Sequence, residues 1–303
     1  METILICGGT GLVGSQMITT YSSKYKVKVL SRSKRQDSKN VTYFTWDINN
    51  ETMEDEALVD VDYIINLTGA GIADGRWTES RKKILVDSRV QSNKTLVKYI
   101  VKLDKKIKAF TCASAVGYYG DRGEEVLTEV SPPGVGFMAD CCVAWEESAY
   151  LLASLVERLS ILRIGIVLST KDGALPKMLM TKNFGMLSYF GDGSQYYAWI
   201  HISDLVKIFE STLVNSTYKG VYNAVAPAPI TNKQMMEGIK DKMDSSALLL
   251  PAPSFALRLV MGEMADVVLN STRVVPSRLL EQGYKYLFTN VGEAVQDVVE
   301  KKI

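Results

Sequence analysis

Ile4-Leu5-Ile6-Cys7 is a short apolar run that stops at Gly8, and an amphipathic stretch begins near Leu12. Between them Gly8, Gly11 and Gly14 stand three apart, while Gly9, Gly11 and Gly14 also satisfy G-x-G-x-x-G. A strand, a tight turn and a helix start in that order can hold a pyrophosphate. Early glycines admit the anion to the backbone, the last lets helix and strand pack, and free N–H groups with the helix dipole bind the charge. Gly8, Thr10, Gly11, Leu12, Val13 and Gly14 are therefore expected to cradle a dinucleotide. The second strand ends Val29-Leu30-Ser31-Arg32-Ser33-Lys34-Arg35, without a carboxylate. A ribose 2′-hydroxyl calls for an acid at that point and a 2′-phosphate for a base. Ser31 and Arg32 thus favour NADP(H) through charge-assisted hydrogen bonds, a solvated basic turn being the alternative. Asp47, at the expected end of the third strand, can meet an adenine amino group or close an Asx turn before Asn49. Asn66-Leu67-Thr68-Gly69-Ala70-Gly71 closes the next strand with residues small enough for backbone to lie along a ribose.

Such loops need a sheet to hold them. Strands are expected at Thr3–Cys7, Lys26–Leu30, Tyr63–Asn66, Ala109–Ala113 and Ser160–Ile166, with helices at Gly11–Ser22, Glu79–Leu103 and Ala139–Glu157. This alternation predicts a doubly wound parallel α/β fold of Rossmann type, with ligand at the carboxyl ends of its strands. Residues 1–166 form the cofactor domain in this reading, and 198–225 return to it. Residues 167–197 and 226–303 make a smaller, mostly helical substrate-side domain. Lys171–Tyr197 is punctuated by glycines and is a candidate lid. Ser203 or Asp204 is expected to cap a helix over Leu205–Leu213. After Pro251, Phe255, Leu259, Met261 and Leu269 fall at helical spacing, which predicts packing or a homodimer contact.

A formal net charge of +1 leaves no footprint for nucleic acid or an anionic membrane. The basic stretch from Lys102 to Lys108 reads as a solvated helix end and turn. No apolar run approaches the ~20 residues of a spanning helix, and the N-terminus reads as a strand rather than a signal peptide. Four cysteines without a C-x-x-C pair point to a reducing cytoplasm and no metal site.

Several segments together resemble the extended short-chain dehydrogenase/reductases: Cys7–Gly14, Asn66–Gly71, Thr111-Cys-Ala-Ser-Ala-Val-Gly-Tyr-Tyr-Gly120 and Trp199–Asp204. More narrowly, Arg76-Trp77-Thr-Glu79, Asp87-Ser88-Arg89, Gly117–Gly123, Trp145-Glu146, Gly173–Met178, Pro227–Asn232, Met261–Ala265 and Arg273–Pro276 resemble a nucleoside-diphosphate-sugar-epimerase-like family with its own C-terminal domain. The resemblance spans nearly the whole chain. It implies NADP(H) held at the glycine loop, Ser31, Arg32, Leu67, Thr68, Gly69 and Arg89, with a small molecule as substrate.

The wider superfamily uses a Tyr-x-x-x-Lys pair and an upstream serine. Ser114 matches the serine, but Cys141 stands at the tyrosine position and Trp145 at the lysine position. Tyr118 is the substitute proton carrier with the best placement in sequence. Tyr119 reads as a packed ring, His201 as a structural histidine, and Cys142 lacks a neighbour that would activate it. Arg76, Arg122 and Lys177 can bind an anionic substrate such as a nucleotide sugar, or make surface ion pairs. The expectation is an NADP(H)-dependent oxidoreductase or epimerase-like enzyme in which Ser114 orients and Tyr118 relays a proton. The alternative is a catalytically silent NADP-binding sensor acting through a partner.

Overall fold

Short apolar runs flanked by polar turns form the strands of a central sheet. In the computed structural model these are β1 (Thr3–Cys7), β2 (Lys26–Ser31), β3 (Val41–Asp47), β4 (Thr52–Met53), β5 (Tyr63–Asn66), β6 (Ala109–Ala115), β7 (Leu159–Ile164) and β8 (Gly220–Ala224). The structure describes residues 1–103, 106–243 and 246–303; Asp104 and Lys105 of the basic stretch lie outside them. Strand order is β8-β7-β6-β5-β1-β2-β3-β4, parallel throughout except for β4 against β3. Ile4, Leu5, Ile6 and Cys7 are fully buried, as a central strand covered on both faces requires. The order reverses between β1 and β5, and the crevice for a ligand opens there.

Helices cover both faces. On one side α2 (Glu79–Ile100) packs on α3 (Phe137–Tyr150). On the other, α1 (Leu12–Tyr21) meets α4 (Ile202–Val214), where the Tyr21 hydroxyl donates to the Val206 carbonyl at 2.6 Å. The sheet core is a Rossmann-type doubly wound arrangement, and Gly220–Ala224 returns to it as the edge strand.

A second cluster of buried apolar residues gathers Leu168, Leu175, Leu187, Trp199, Met235 and Val295. It is built partly by α5 (Asn232–Met243) and α7 (Val291–Lys301), with α6 (Ser254–Met261) outside it. Asp204 ties this region to the sheet: its carboxylate accepts the amides of Leu287 at 2.9 Å and Phe288 at 3.0 Å.

Four local expectations are corrected. β7 ends at Ile164, because a Cβ on Gly165 would lie 2.5 Å from the Ala198 carbonyl oxygen. The chain leaves the sheet there, and Ile166–Leu168 pairs with Trp199–His201 instead. The cap of α4 is His201, whose Nδ1 accepts the Ser203 amide at 3.1 Å. Lys171–Tyr197 is anchored, since Leu175 and Leu187 are fully buried. Finally, the helix after Pro253 stops at Gly262 (φ +62), and none of its residues is buried.

Candidate active site

At the crevice, β1 runs straight into the glycine turn. Gly8 has φ +78, and a Cβ there would sit 3.0 Å from the Leu67 backbone carbon, so the two loops meet backbone to backbone. Gly14 is needed for packing: its Cβ would fall 2.5 Å from the Gly9 Cα and 2.6 Å from the Gly8 oxygen. α1 starts at Leu12, with Gly11 at its cap position and no side chain bonded to its first amides. Those N–H groups are left for an anion.

The opposite wall is set by Asn66. Its side chain donates to Ser92 at 2.9 Å and Asn93 at 2.8 Å, and its oxygen accepts the Thr68 amide at 3.0 Å. Ser88 accepts the Ala70 amide at 2.9 Å, which fixes the loop further along. Gly69 is small because Arg89 lies behind it; a Cβ would come 3.0 Å from the guanidinium carbon. Arg89 is 8% exposed, stacks on Trp145 at 4.9 Å and donates to the Leu85 carbonyl. Burial lowers its pKa from the usual guanidinium value, and no carboxylate pairs with it among the described residues.

The resulting groove has a volume of about 1010 Å³. Gly8, Thr10, Gly11, Ser31, Arg32, Asp47, Leu67, Thr68 and Gly69 all line it. Leu12 and Val13 stand at the helix start, while Gly14 and Arg89 support the walls from behind. Arg32 is exposed and makes no hydrogen bond or ion pair among the described residues. Ser31 is largely buried and donates to the Ser33 carbonyl at 2.5 Å. Asp47 closes the Asx turn, accepting the amides of Asn49 at 2.9 Å and Asn50 at 3.3 Å. The side chain of Asn50 donates to its second oxygen at 2.7 Å. These bonds hold its carboxyl below the usual range, the Asn50 side chain foremost.

Ser114 and Tyr118 lie outside the groove lining, at the end of β6 and in the turn after it. Ser114 is 2% exposed, and its hydroxyl donates to Glu146 at 2.7 Å. Arg163 on β7 clamps that carboxylate with two bonds of 2.8 Å and donates to the Tyr119 hydroxyl at 2.9 Å. Burial opposes the charge on Arg163, yet Glu146 more than offsets it and holds the guanidinium above its usual pKa. Tyr118 is half-buried with its ring 3.4 Å from the Arg163 guanidinium carbon, and its hydroxyl has no hydrogen-bond partner among the described residues.

Residues 4–224 match the NAD dependent epimerase/dehydratase family, and residues 252–298 match "Domain of unknown function (DUF1731)". The chain belongs to the epimerase/dehydratase family. The Staphylococcus haemolyticus "Epimerase family protein SH2119" is 32% identical over 304 residues, covering 99% of this chain and all of the relative. A Staphylococcus aureus epimerase family protein gives the same identity over 308 residues. Among solved structures, human epimerase family protein SDR39U1 (isoform2) with NADPH matches at TM-score 0.88 and 29% identity, covering 99% of both chains. A nucleoside-diphosphate sugar epimerase from Corynebacterium glutamicum gives 0.77 and 28%, covering 98% of this chain and 58% of that one. The Bacillus cereus UDP-glucuronic acid 4-epimerase, at 0.78 and 16%, shares the fold.

Cys141 and Trp145, which the resemblance sets at the superfamily's Tyr and Lys positions, lie on α3, and both are buried. Burial pushes the Cys142 thiol up to about 12, which leaves no thiolate nucleophile there. His201 is fully buried and stacks on Phe288 at 4.0 Å; desolvation depresses its basicity. Of the three candidate substrate cations, Arg122 clamps Glu125 at 2.6 and 2.8 Å. Arg76 donates to the carbonyls of Leu259 and Val260, and Lys177 is exposed. Sequence reasoning missed Arg163, although an arginine inside Leu159-Ser-Ile-Leu-Arg-Ile164 is a signal that a buried acid faces it. It also missed Arg81 and Asp172 on the groove wall, which no spacing in the chain connects to the glycine turn.

Proposed function

We propose that this protein binds NADP(H) in the groove and uses it in an oxidoreductase or epimerase-like reaction on a small molecule carrying a carbonyl or secondary hydroxyl. The observation that carries the cofactor choice is Arg32, an unengaged guanidinium at the end of β2 beside the buried Ser31. The fit is supported by the Gly8–Leu67 backbone approach and the open first turn of α1. It is also supported by the Thr68 hydroxyl, buried in the wall without a partner among the described residues. The human relative carries NADPH. When bound, the nicotinamide supplies or accepts hydride.

Gly8, Thr10, Gly11, Leu12 and Val13 would hold the pyrophosphate, and Ser31 and Arg32 the 2′-phosphate. Leu67, Thr68 and Gly69 would flank the ribose, with Arg89 giving charge behind them. Asp47 reaches the adenine edge only while it also serves its turn. Tyr118 is the phenol free to carry a proton, since Tyr119 is engaged by Arg163 and Asn223. The Ser114 hydroxyl donates its hydrogen bond to Glu146, so toward a substrate hydroxyl it would act as an acceptor. Of the three candidate cations for an anionic substrate such as a nucleotide sugar, Arg76 and Arg122 are engaged, and Lys177 is exposed with no partner among the described residues.

The test is NADPH turnover over a panel of carbonyl compounds and sugar nucleotides, with Tyr118→Phe alongside. Turnover lost in that variant, with NADPH still bound, supports the scheme. Unchanged turnover removes Tyr118 from it. The second reading, a silent NADP-binding sensor, is favoured by the burial of Cys141 and Trp145, which the resemblance sets at the superfamily's catalytic positions. Bound cofactor that stays unconverted across the panel would establish it.

A further inference from the structure

Among the described residues two arginines are buried, Arg163 and Arg89, at 3% and 8% exposure. Arg163 shows what such a guanidinium requires. Its Nε and Nη2 donate to the two oxygens of Glu146 at 2.8 Å each, the planar fork that matches a carboxylate. Arg89 has no such counterpart. Its Nη1 donates to the Leu85 carbonyl at 2.7 Å, while its Nε and Nη2 make no hydrogen bond among the described residues. The edge that Arg163 commits to Glu146 is open in Arg89.

The plane of Arg89 is held in place. Its guanidinium carbon lies 4.9 Å from the Trp145 ring, and a Cβ on Gly69 would meet that carbon at 3.0 Å and Nε and Nη2 at 3.2 Å. Its charge, however, is not answered. The side chains that interact with it favourably are the thiols of Cys141 and Cys142, and burial raises the pKa of both, so neither supplies an anion at neutral pH. Arg81 adds a second positive charge to the surroundings. Arginine keeps its proton in proteins, and a buried charge without a partner is costly. An oxyanion from outside the chain removes that cost.

Position indicates which oxyanion. Gly69 lines the nucleotide groove, and Arg89 lies behind it, off the groove lining. In the NADP(H) reading the cofactor's phosphates are met on the groove side, by the first amides of α1 and by Arg32. Arg89 stands instead at the seam of α2 and α3, against Trp145, whose neighbour in the chain is Glu146, the partner of Ser114. Gly69 and Ser114 also stand at the carboxyl ends of the paired strands β5 and β6. The open edge is thus placed between the cofactor wall and the Ser114 cluster, on the side where a substrate would lie.

We propose that Arg89 is a carboxylate receptor, and that the small molecule acted on at this site is an organic acid. Its carboxylate pairs with Nε and Nη2 as Glu146 pairs with Arg163. The inference rests on the NADP(H) reading for its place beside the cofactor, and its test is separable from it. Thermal unfolding of the full chain is followed with acetate, pyruvate and benzoate at millimolar concentrations, with and without saturating NADPH. Each acid is set against its amide and against sodium chloride of equal ionic strength. In the wild type a carboxylate is expected to raise the melting temperature where amide and chloride do not, and the rise persists with NADPH bound. Arg89→Lys keeps the charge without the fork and should need about tenfold more carboxylate for the same rise. Arg89→Met removes an unpaired buried charge, so it should melt no lower than the wild type and ignore carboxylate.

A second measurement needs no variant. In wild-type protein carrying 15N-arginine, one Nε–H resonance should move on adding the carboxylate and stay in place with the amide. A wild type that shows no carboxylate-specific response, or an equal response in Arg89→Met, overturns the proposal. So does a clear fall in the melting temperature of Arg89→Met, because the charge would then be compensated within the chain. A response that NADPH abolishes overturns it as well, since the cofactor would be the partner of Arg89. NADPH binding, read by nicotinamide fluorescence in the same samples, reports separately on the cofactor reading.

Discussion

The nucleotide groove and the Ser114 cluster sit at neighbouring strand ends, yet they treat polar groups in opposite ways. In the groove the first helix amides of α1 and the Arg32 guanidinium are left without partners among the described residues. Around Ser114 the hydroxyl, the Glu146 carboxylate and the Arg163 guanidinium satisfy one another out of contact with water. Open valences in a concave site are recognition capacity. Closed valences in a core fix geometry, and a buried pair that loses one member leaves an expensive charge behind. The first region should therefore govern cofactor affinity, and the Glu146–Arg163 pair of the second should govern stability.

The largest expected effect lies in the closed region. Glu146→Leu leaves Arg163 buried and unpaired, and should cost about 3–5 kcal/mol in denaturant unfolding. Cofactor affinity of the folded fraction should stay near that of the wild type. A stable variant would mean that the pair is no structural unit. In the open region the balance reverses. Arg32→Ala should weaken NADP(H) by about ten- to a hundredfold, the worth of a charge-assisted phosphate contact, while NAD(H) and the melting temperature barely move. Equal losses for both nucleotides would remove the 2′-phosphate assignment. Asp47→Asn is the smallest change, since Asn also closes an Asx turn. Its cofactor affinity should shift less than about threefold, and a larger loss would place the carboxylate on the adenine.

The same contrast explains what was legible in the sequence. Groove residues come from contiguous loops after β1, β2 and β5, where glycine spacing and the lack of an acid after Leu30 carry local meaning. Gly8, Ser31, Arg32 and Thr68 could be found that way. The Ser114 cluster is assembled from three separate elements, β6, α3 and β7, so nothing near Ser114 announces that its proton is already committed. Nothing near Glu146 in the chain announces its partner either, because Arg163 lies on another element. α6 differs in another way. Its apolar spacing predicts packing or a homodimer contact, and pattern alone does not say whether the chain itself supplies the surface it would pack on.

The approach of Gly8 to Leu67 has a consequence for folding order. The first strand and the glycine turn leave the ribosome before β5, yet β1 needs β5 on one flank, and the turn needs the loop after β5 as its opposite wall. Until Leu67 arrives, the loop is a flexible glycine segment with nothing to press against. Parallel pairing across such sequence separation raises contact order and slows folding. Nucleotide capture is therefore a late event, available only once the crossover from β4 to β5 is complete.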